Sequence, residues 1–236
     1  MTFSDKIAYI WSVRGLILES LGISLLIALG AIVIGFMIGV VLAVIRIAPK
    51  NNFVIRFFDK IAQLYITVIR GTPTMVQLLI MYSSIMVGFK YLETNILVPI
   101  VAFGINSGAY MAEIIRSGIN SVDVGQIEAG RSVGLSWVTT MRKIVIPQAI
   151  KVVVPTIFNE IIILVKETSV VSVIALRIGG MQKWDLLGLT SKMAVAKPAT
   201  YTTFLYTAAA LYLIIVLILT FVQKRIEKGL KKNERH

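Results

Sequence analysis

Residues 125–130 read Gly125-Gln126-Ile127-Glu128-Ala129-Gly130, with Gly134 four positions on and Ile144-Val145-Ile146-Pro147 beyond it. The stretch is polar, basic and punctuated by turn residues, yet it lies between apolar runs long enough to cross a bilayer. A structured polar insert in such a chain belongs at the membrane surface, and docking to a partner is the most economical job for it. Between Arg116 and Lys151 the sequence predicts two short helices. Asp123 is a good N-cap with Gln126 in capping-box spacing, and the first helix is expected over Val124 to Val133, stopped by Gly134 as its C′ glycine. Ser136 caps the second, and Pro147 either ends it or begins the next span. Ala129 and Gly130 are small, so another surface can approach the first helix closely. On its caps alone, the segment reads equally as an ordered interhelical loop.

The flanks place the insert in a membrane protein. Of 236 residues 57% are hydrophobic and 15% charged, with a mean hydropathy of +0.84, whereas soluble domains carry about a quarter charged residues. Five spans are expected, over residues 21–47, 61–87, 96–115, 150–175 and 202–222. The chain is therefore read as an all-α polytopic protein with one transmembrane domain, 1–236. That domain has an amphipathic lead-in (1–20), a surface loop (117–149) and a basic tail (223–236). The lead-in sets Phe3, Ile7, Ile10, Trp11 and Arg14 at helical spacing and lacks the compact apolar core of a cleaved signal. Gly35 and Gly39 in the first span form a small-xxx-small pair of the kind that lets helices approach in lipid.

Charge sets the expected orientation. One set of loops holds fifteen Lys and Arg (Arg46 to Lys60, Arg116 to Lys151, Lys224 to Arg235), and the other holds seven, including Lys6, Arg14, Lys90 and Arg177. The positive-inside rule then puts the N-terminus outside and the C-terminus and the insert in the cytoplasm. The net charge of +12 is broken up by spans, which argues against nucleic acid as a partner. There is no cysteine and the one histidine is His236, so neither a metal site, nor a disulfide framework, nor imidazole catalysis is expected.

Glu128-Ala129-Gly130, Gly134 after three residues and Ile144-x-Ile146-Pro147 after nine more resemble the Glu-Ala-Ala loop of bacterial ABC-importer membrane subunits. Gly130 stands where that pattern has Ala, and Ile146 where it has Leu. Arg70-Gly71-Thr72-Pro73, Asn106-Ser107-Gly108-Ala109-Tyr110, Glu113-Ile114-Ile115-Arg116, Pro147-Gln148-Ala149 and Lys166-Glu167-Thr168-Ser169 look like the permeases for polar and charged amino acids. The resemblance spans about residues 15 to 225. It implies a coupling helix seated in a groove of an ATP-binding cassette ATPase, with Glu128, Ala129, Gly130, Gly134 and Pro147 as its coupling residues. It also implies a second permease copy, identical or homologous, an extracytoplasmic amino-acid-binding protein and a place in the bacterial cytoplasmic membrane. No cofactor is expected on this chain, since ATP would be bound by the partner. Gly125-x4-Gly130-Arg131-Ser132 only mimics a phosphate-binding loop: Arg replaces the Lys and no strand precedes it.

Polar groups inside spans are costly and point to function. Arg70 to Pro73 interrupt the second span, as a kink with Arg70 reaching for the interface or as a gate beside a path. Asn106, Tyr110 and Glu113 fall on one helical face, and Glu113 can pair with Arg116. Asn106 is expected to face the path. Asn159 and Glu160 lie about ten residues into the fourth span. Glu160 either pairs with Arg70 or receives the amino or guanidinium group of an amino acid. The substrate-site candidates are Glu160, Asn159, Asn106, Arg70 and Thr72. They favour arginine, lysine or histidine, with glutamine or glutamate as the alternative. A passive channel fits the partner motif less well, and a membrane enzyme would have few tools, with no Cys, no internal His and no paired carboxylates on adjacent turns of one span. The stretch from Arg177 to Lys197 is too polar for a simple turn; the resemblance implies a surface that meets the extracytoplasmic binding protein, and a solvated loop is the alternative.

Overall fold

The computed structural model describes residues 2–88, 96–178 and 181–232. Lys90, Gly179, Gly180, Arg235 and His236, all used in the sequence reading, lie outside the described residues. Among the described residues four helices are long and apolar enough to cross a membrane, and a bent helix pair brings the number to five if it is one span.

The amphipathic lead-in is α1 (Phe3–Ser12), opened by a reciprocal capping box between Thr2 and Asp5. The first span, α2 (Arg14–Ile47), starts seven residues earlier than the sequence predicts. Gly15 alone does not stop helix growth, so the span already begins at Arg14, directly after the Val13 cap of α1. At about 1.5 Å per residue its 34 residues exceed the ~30 Å hydrocarbon core, so it projects beyond it. The second span is two helices, α3 (Phe53–Arg70) and α4 (Thr74–Gly88), bent by 103° at the break. The third span is α5 (Leu97–Asn120).

α5 is the central post, and glycine lets α2 lie against it. A Cβ on Gly35 would sit 2.9 Å from Ser107 Cβ, and one on Gly39 2.4 Å from Met111 Cβ. Ile34 and Ile38 in turn fill the spaces over Gly104 and Gly108. The two helices therefore run parallel with their ridges interlocked, as small-residue stripes allow in lipid.

The polar insert forms α6 (Val124–Ser132) and α7 (Trp137–Thr140). Asp123 Oδ1 accepts the Gly125 N–H at 2.7 Å, without an accompanying capping-box bond from Gln126. Ser136 Oγ accepts the Thr139 N–H at 3.2 Å. Of the two readings of Pro147 the second holds: it begins the next span. α7 passes through a π-helical turn (Met141–Val145) into α8 (Ile146–Glu167), where Pro147 occupies the first turn. The wider turn absorbs the ring that an α-turn would crowd, and Gln148 Nε2 bonds the Ile144 carbonyl at 2.9 Å.

Beyond α8 a short 3₁₀ segment (Thr168–Val173) leads to a hairpin of β1 (Leu176–Ile178) and β2 (Met181–Lys183), antiparallel with Arg177 opposite Gln182. α9 (Leu186–Ala196) follows, and α10 (Tyr201–Lys232) is the last span. Ile17, Leu186, Leu189, Met193, Phe204 and Ala208 form one core at this end. Val122, Met141, Val145 and Ala149, with Ile47, Ile119 and Ile127 against them, form another under α6.

Candidate functional site

α6 is a surface helix fixed from below. Ile127 and Trp137 pack on the core of Val122, Met141, Val145 and Ala149, while Glu128, Ala129 and Val133 are exposed. Gly130 is not on that outer face. It is buried, and a Cβ there would meet Thr140 Cγ2 at 2.9 Å and Ile144 Cδ1 at 3.0 Å. Its small size serves packing within the chain rather than approach by a partner. Gly134 has φ +83°, the left-handed conformation that favours glycine. The Leu135 N–H bonds Gly130 O at 3.1 Å and the Gly134 N–H bonds Arg131 O at 3.0 Å, a complete Schellman ending. Arg131 Nη1 adds a bond to Leu135 O at 2.8 Å, so the turn after α6 is rigid.

The broken span supplies the second element. Thr72 Oγ1 donates to Val68 O at 2.9 Å, bending back as hydroxyls do near helix ends. Gln77 Nε2 donates to Ile69 O and to Thr72 Oγ1, each at 2.7 Å. Arg70, the last residue of α3, lies with its guanidinium carbon 5.2 Å from the Tyr110 ring centroid. Arg70, Tyr110, Glu113, Ser117, Val152 and Thr156 line a cleft of about 230 Å³ between the break, α5 and α8. Glu113 is held by both Arg116 nitrogens, at 2.5 and 3.0 Å.

The remaining candidates separate. Asn106 is 2% exposed and donates to Gln77 Oε1 at 2.9 Å, so it faces α4. Asn159 accepts from Gln223 Nε2 at 3.1 Å, which ties α8 to α10. Glu160 is 8% exposed and accepts from Ser107 Oγ at 3.3 Å. No Arg70–Glu160 ion pair forms, because the Arg70 cation is turned onto Tyr110. Gln148, Val152, Thr156, Asn159, Ile163 and Lys166 form one exposed stripe along α8, spaced three or four residues apart. Polar side chains on a spanning helix do not face hydrocarbon, so this stripe meets water or protein.

Gln77 was not anticipated from the sequence. A glutamine four residues after a span-breaking proline, in an otherwise apolar helix, was the available signal.

Comparison with known proteins fits this architecture. Residues 35–232 match the family described as binding-protein-dependent transport system inner membrane component. The arginine transport system permease protein ArtQ of Bacillus subtilis (strain 168) is 38% identical, over 92% of this chain and 94% of that protein. A putative glutamine transport system permease protein GlnP of Rickettsia bellii (strain RML369-C) is 34% identical, over 97% and 95%. A crystal structure of an amino acid ABC transporter with histidines superposes with a TM-score of 0.83 at 33% identity, over 97% of this chain and 99% of that one. The MetNI methionine ABC transporter in its inward-facing form shares the fold, with a TM-score of 0.69 at 20% identity over 98% and 99%. The surface helix, the broken span and the helical post thus have one explanation: the chain belongs to the family of binding-protein-dependent transport system inner membrane components, the permease subunits of ABC transporters.

Proposed function

We propose that this chain is the membrane subunit of an ATP-driven amino-acid importer with a preference for cationic substrates. The carrying observation is Glu160. Its carboxylate is buried within the fourth span with a serine hydroxyl as its donor, and no cation lies within ion-pair distance among the described residues. A carboxylate at that depth is stabilised by a cationic partner, and an amino or guanidinium group of the cargo supplies one. Arginine- and glutamine-named relatives keep a glutamine or glutamate importer as the second reading, in which the exposed Arg70 guanidinium receives a carboxylate.

The polar stripe of α8 calls for a second permease copy, since five spans enclose no path alone. The N-terminus lies outside and α6 in the cytoplasm. There Glu128 and Ala129 enter a groove of an ATPase subunit, and an extracytoplasmic binding protein delivers cargo to the opposite face. ATP binding closes the ATPases, α6 follows as a rigid body, and the spans turn outward.

The test is Glu160→Gln in proteoliposomes holding the cognate ATPase and binding protein. Arginine and lysine uptake should fall by about 10-fold or more, the equivalent of ~1.4 kcal/mol, with glutamine movement unaffected. Unchanged arginine uptake removes the assignment of Glu160.

A further inference from the structure

The break in the second span leaves carbonyls at the end of α3 that no continuing helix can satisfy. Two of them find side-chain donors past the last backbone bond of the helix. Thr67 O takes the Gly71 N–H at 2.9 Å, Val68 O takes the Thr72 hydroxyl at 2.9 Å, and Ile69 O takes the Gln77 amide at 2.7 Å. Gln77 therefore reaches back from the first turn of α4 to cap the helix before the bend. The same amide nitrogen lies 2.7 Å from Thr72 Oγ1 and 3.2 Å from Thr72 O. Its oxygen is occupied as well, by the buried Asn106 on α5. One side chain thus joins both halves of the broken span to the central post, and Gly71 lacks the Cβ that would press on Thr67 O at 2.8 Å.

We propose that Gln77 is a positioning residue whose side-chain amide sets the angle of the broken span and so holds Arg70 in the cleft over Tyr110. Arg70 is the residue immediately before the bend, so rotation there moves its guanidinium relative to Glu113 and Thr156. Asn106 makes the same joint follow α5, whose far end leads within four residues to α6. Displacement of α6 then reaches the cleft through a hydrogen bond as well as through packing. This role rests on the reading of the cleft as part of the transport path.

The chain contains no cysteine, so spin labels can be placed cleanly at Leu64→Cys and Ile80→Cys, exposed positions on α3 and α4. Pulsed electron resonance in nanodiscs containing the assembled transporter should show one narrow distance population. Gln77→Met keeps the length and removes both amide functions. Most of its molecules should leave the native distance range. In transport, its KM should rise about tenfold while the maximal rate stays within about twofold. A packing defect would instead lower the maximal rate and the yield together. Thr72→Val, at an exposed position, removes the hydroxyl that caps Val68 and should shift the same distances if Gln77→Met fails to assemble. A native distance distribution in either variant overturns the proposal. The distance readout needs no transported substrate, so a wrong cargo assignment leaves it legible.

Discussion

Gly134→Pro is expected to uncouple the protein: ATP-driven transport falls about 5- to 150-fold, the range spanned by a coupling free energy of ~1–3 kcal/mol. The chain still inserts and folds. Gly134 has φ +83°, and proline is restricted to about −65°. The substitution also removes the N–H that bonds Arg131 O at 3.0 Å. Both bonds of the Schellman ending depend on that geometry. Without it Ile127 and Gly130 of α6 leave their seat on Met141, Val145, Thr140 and Ile144, and the proposed contact of the exposed Glu128 and Ala129 with an ATPase loses its register. Gly134→Ala separates backbone geometry from bulk. Nothing lies within 4 Å of a Cβ there, so only the left-handed conformation is penalised, by about 1–2 kcal/mol. That variant should retain most of its transport. Copurification of the ATPase and transport per ATP hydrolysed, measured on both variants, checks the expectation. Full coupling in Gly134→Pro contradicts it.

Gly39→Leu is expected to abolish folding rather than activity. A Cβ at Gly39 would lie 2.4 Å from Met111 Cβ and 3.1 Å from the Ala112 backbone nitrogen. Neither neighbour can swing away, because both belong to α5, the post on which α2, α3, α4 and α8 lean. Overpacking of ordinary cores costs about 1–3 kcal/mol, and separating two interlocked backbones in lipid lies at or above the upper end. The variant should give aggregated or degraded protein by size-exclusion chromatography. Gly22→Leu is the matched control on the same helix, since nothing lies within 4 Å of its Cβ. It should elute and melt as the native protein does. Equal behaviour of the two variants would mean that α2 and α5 do not pack as described.

These contrasts mark what could be read from the chain. The surface helix was legible because its caps are local: Asp123, Ser136 and Gly134 act within a turn of themselves, and all three hold. The spans were legible because they answer to length and hydropathy alone. Pro147 was legible as a residue that could begin the next span, and it lies in the first turn of α8; the π-helical turn that leads into it was not legible, because it depends on how the two helices join. Gly130 and Asn106 were assigned to a partner and to the path, respectively. Small size and polarity show on the sequence, whereas the direction a side chain points is decided by distant neighbours: Thr140 and Ile144 for the first, Gln77 for the second. The Arg70–Glu160 pair was open for the same reason, and Tyr110 holds the cation instead. Long-range polar joints in a membrane protein are set by helix packing, which composition does not encode position by position.

The proposed import path for cationic amino acids is driven by ATP and built partly from this chain. The most direct measurement is uptake of labelled arginine into proteoliposomes containing the permease with its ATPase and binding protein, against a panel of unlabelled amino acids. Accumulation should require ATP, be competed by lysine and histidine, and be lost in Glu160→Gln. Arginine that equilibrates without ATP, or ATP hydrolysis that moves no amino acid, would contradict the proposal.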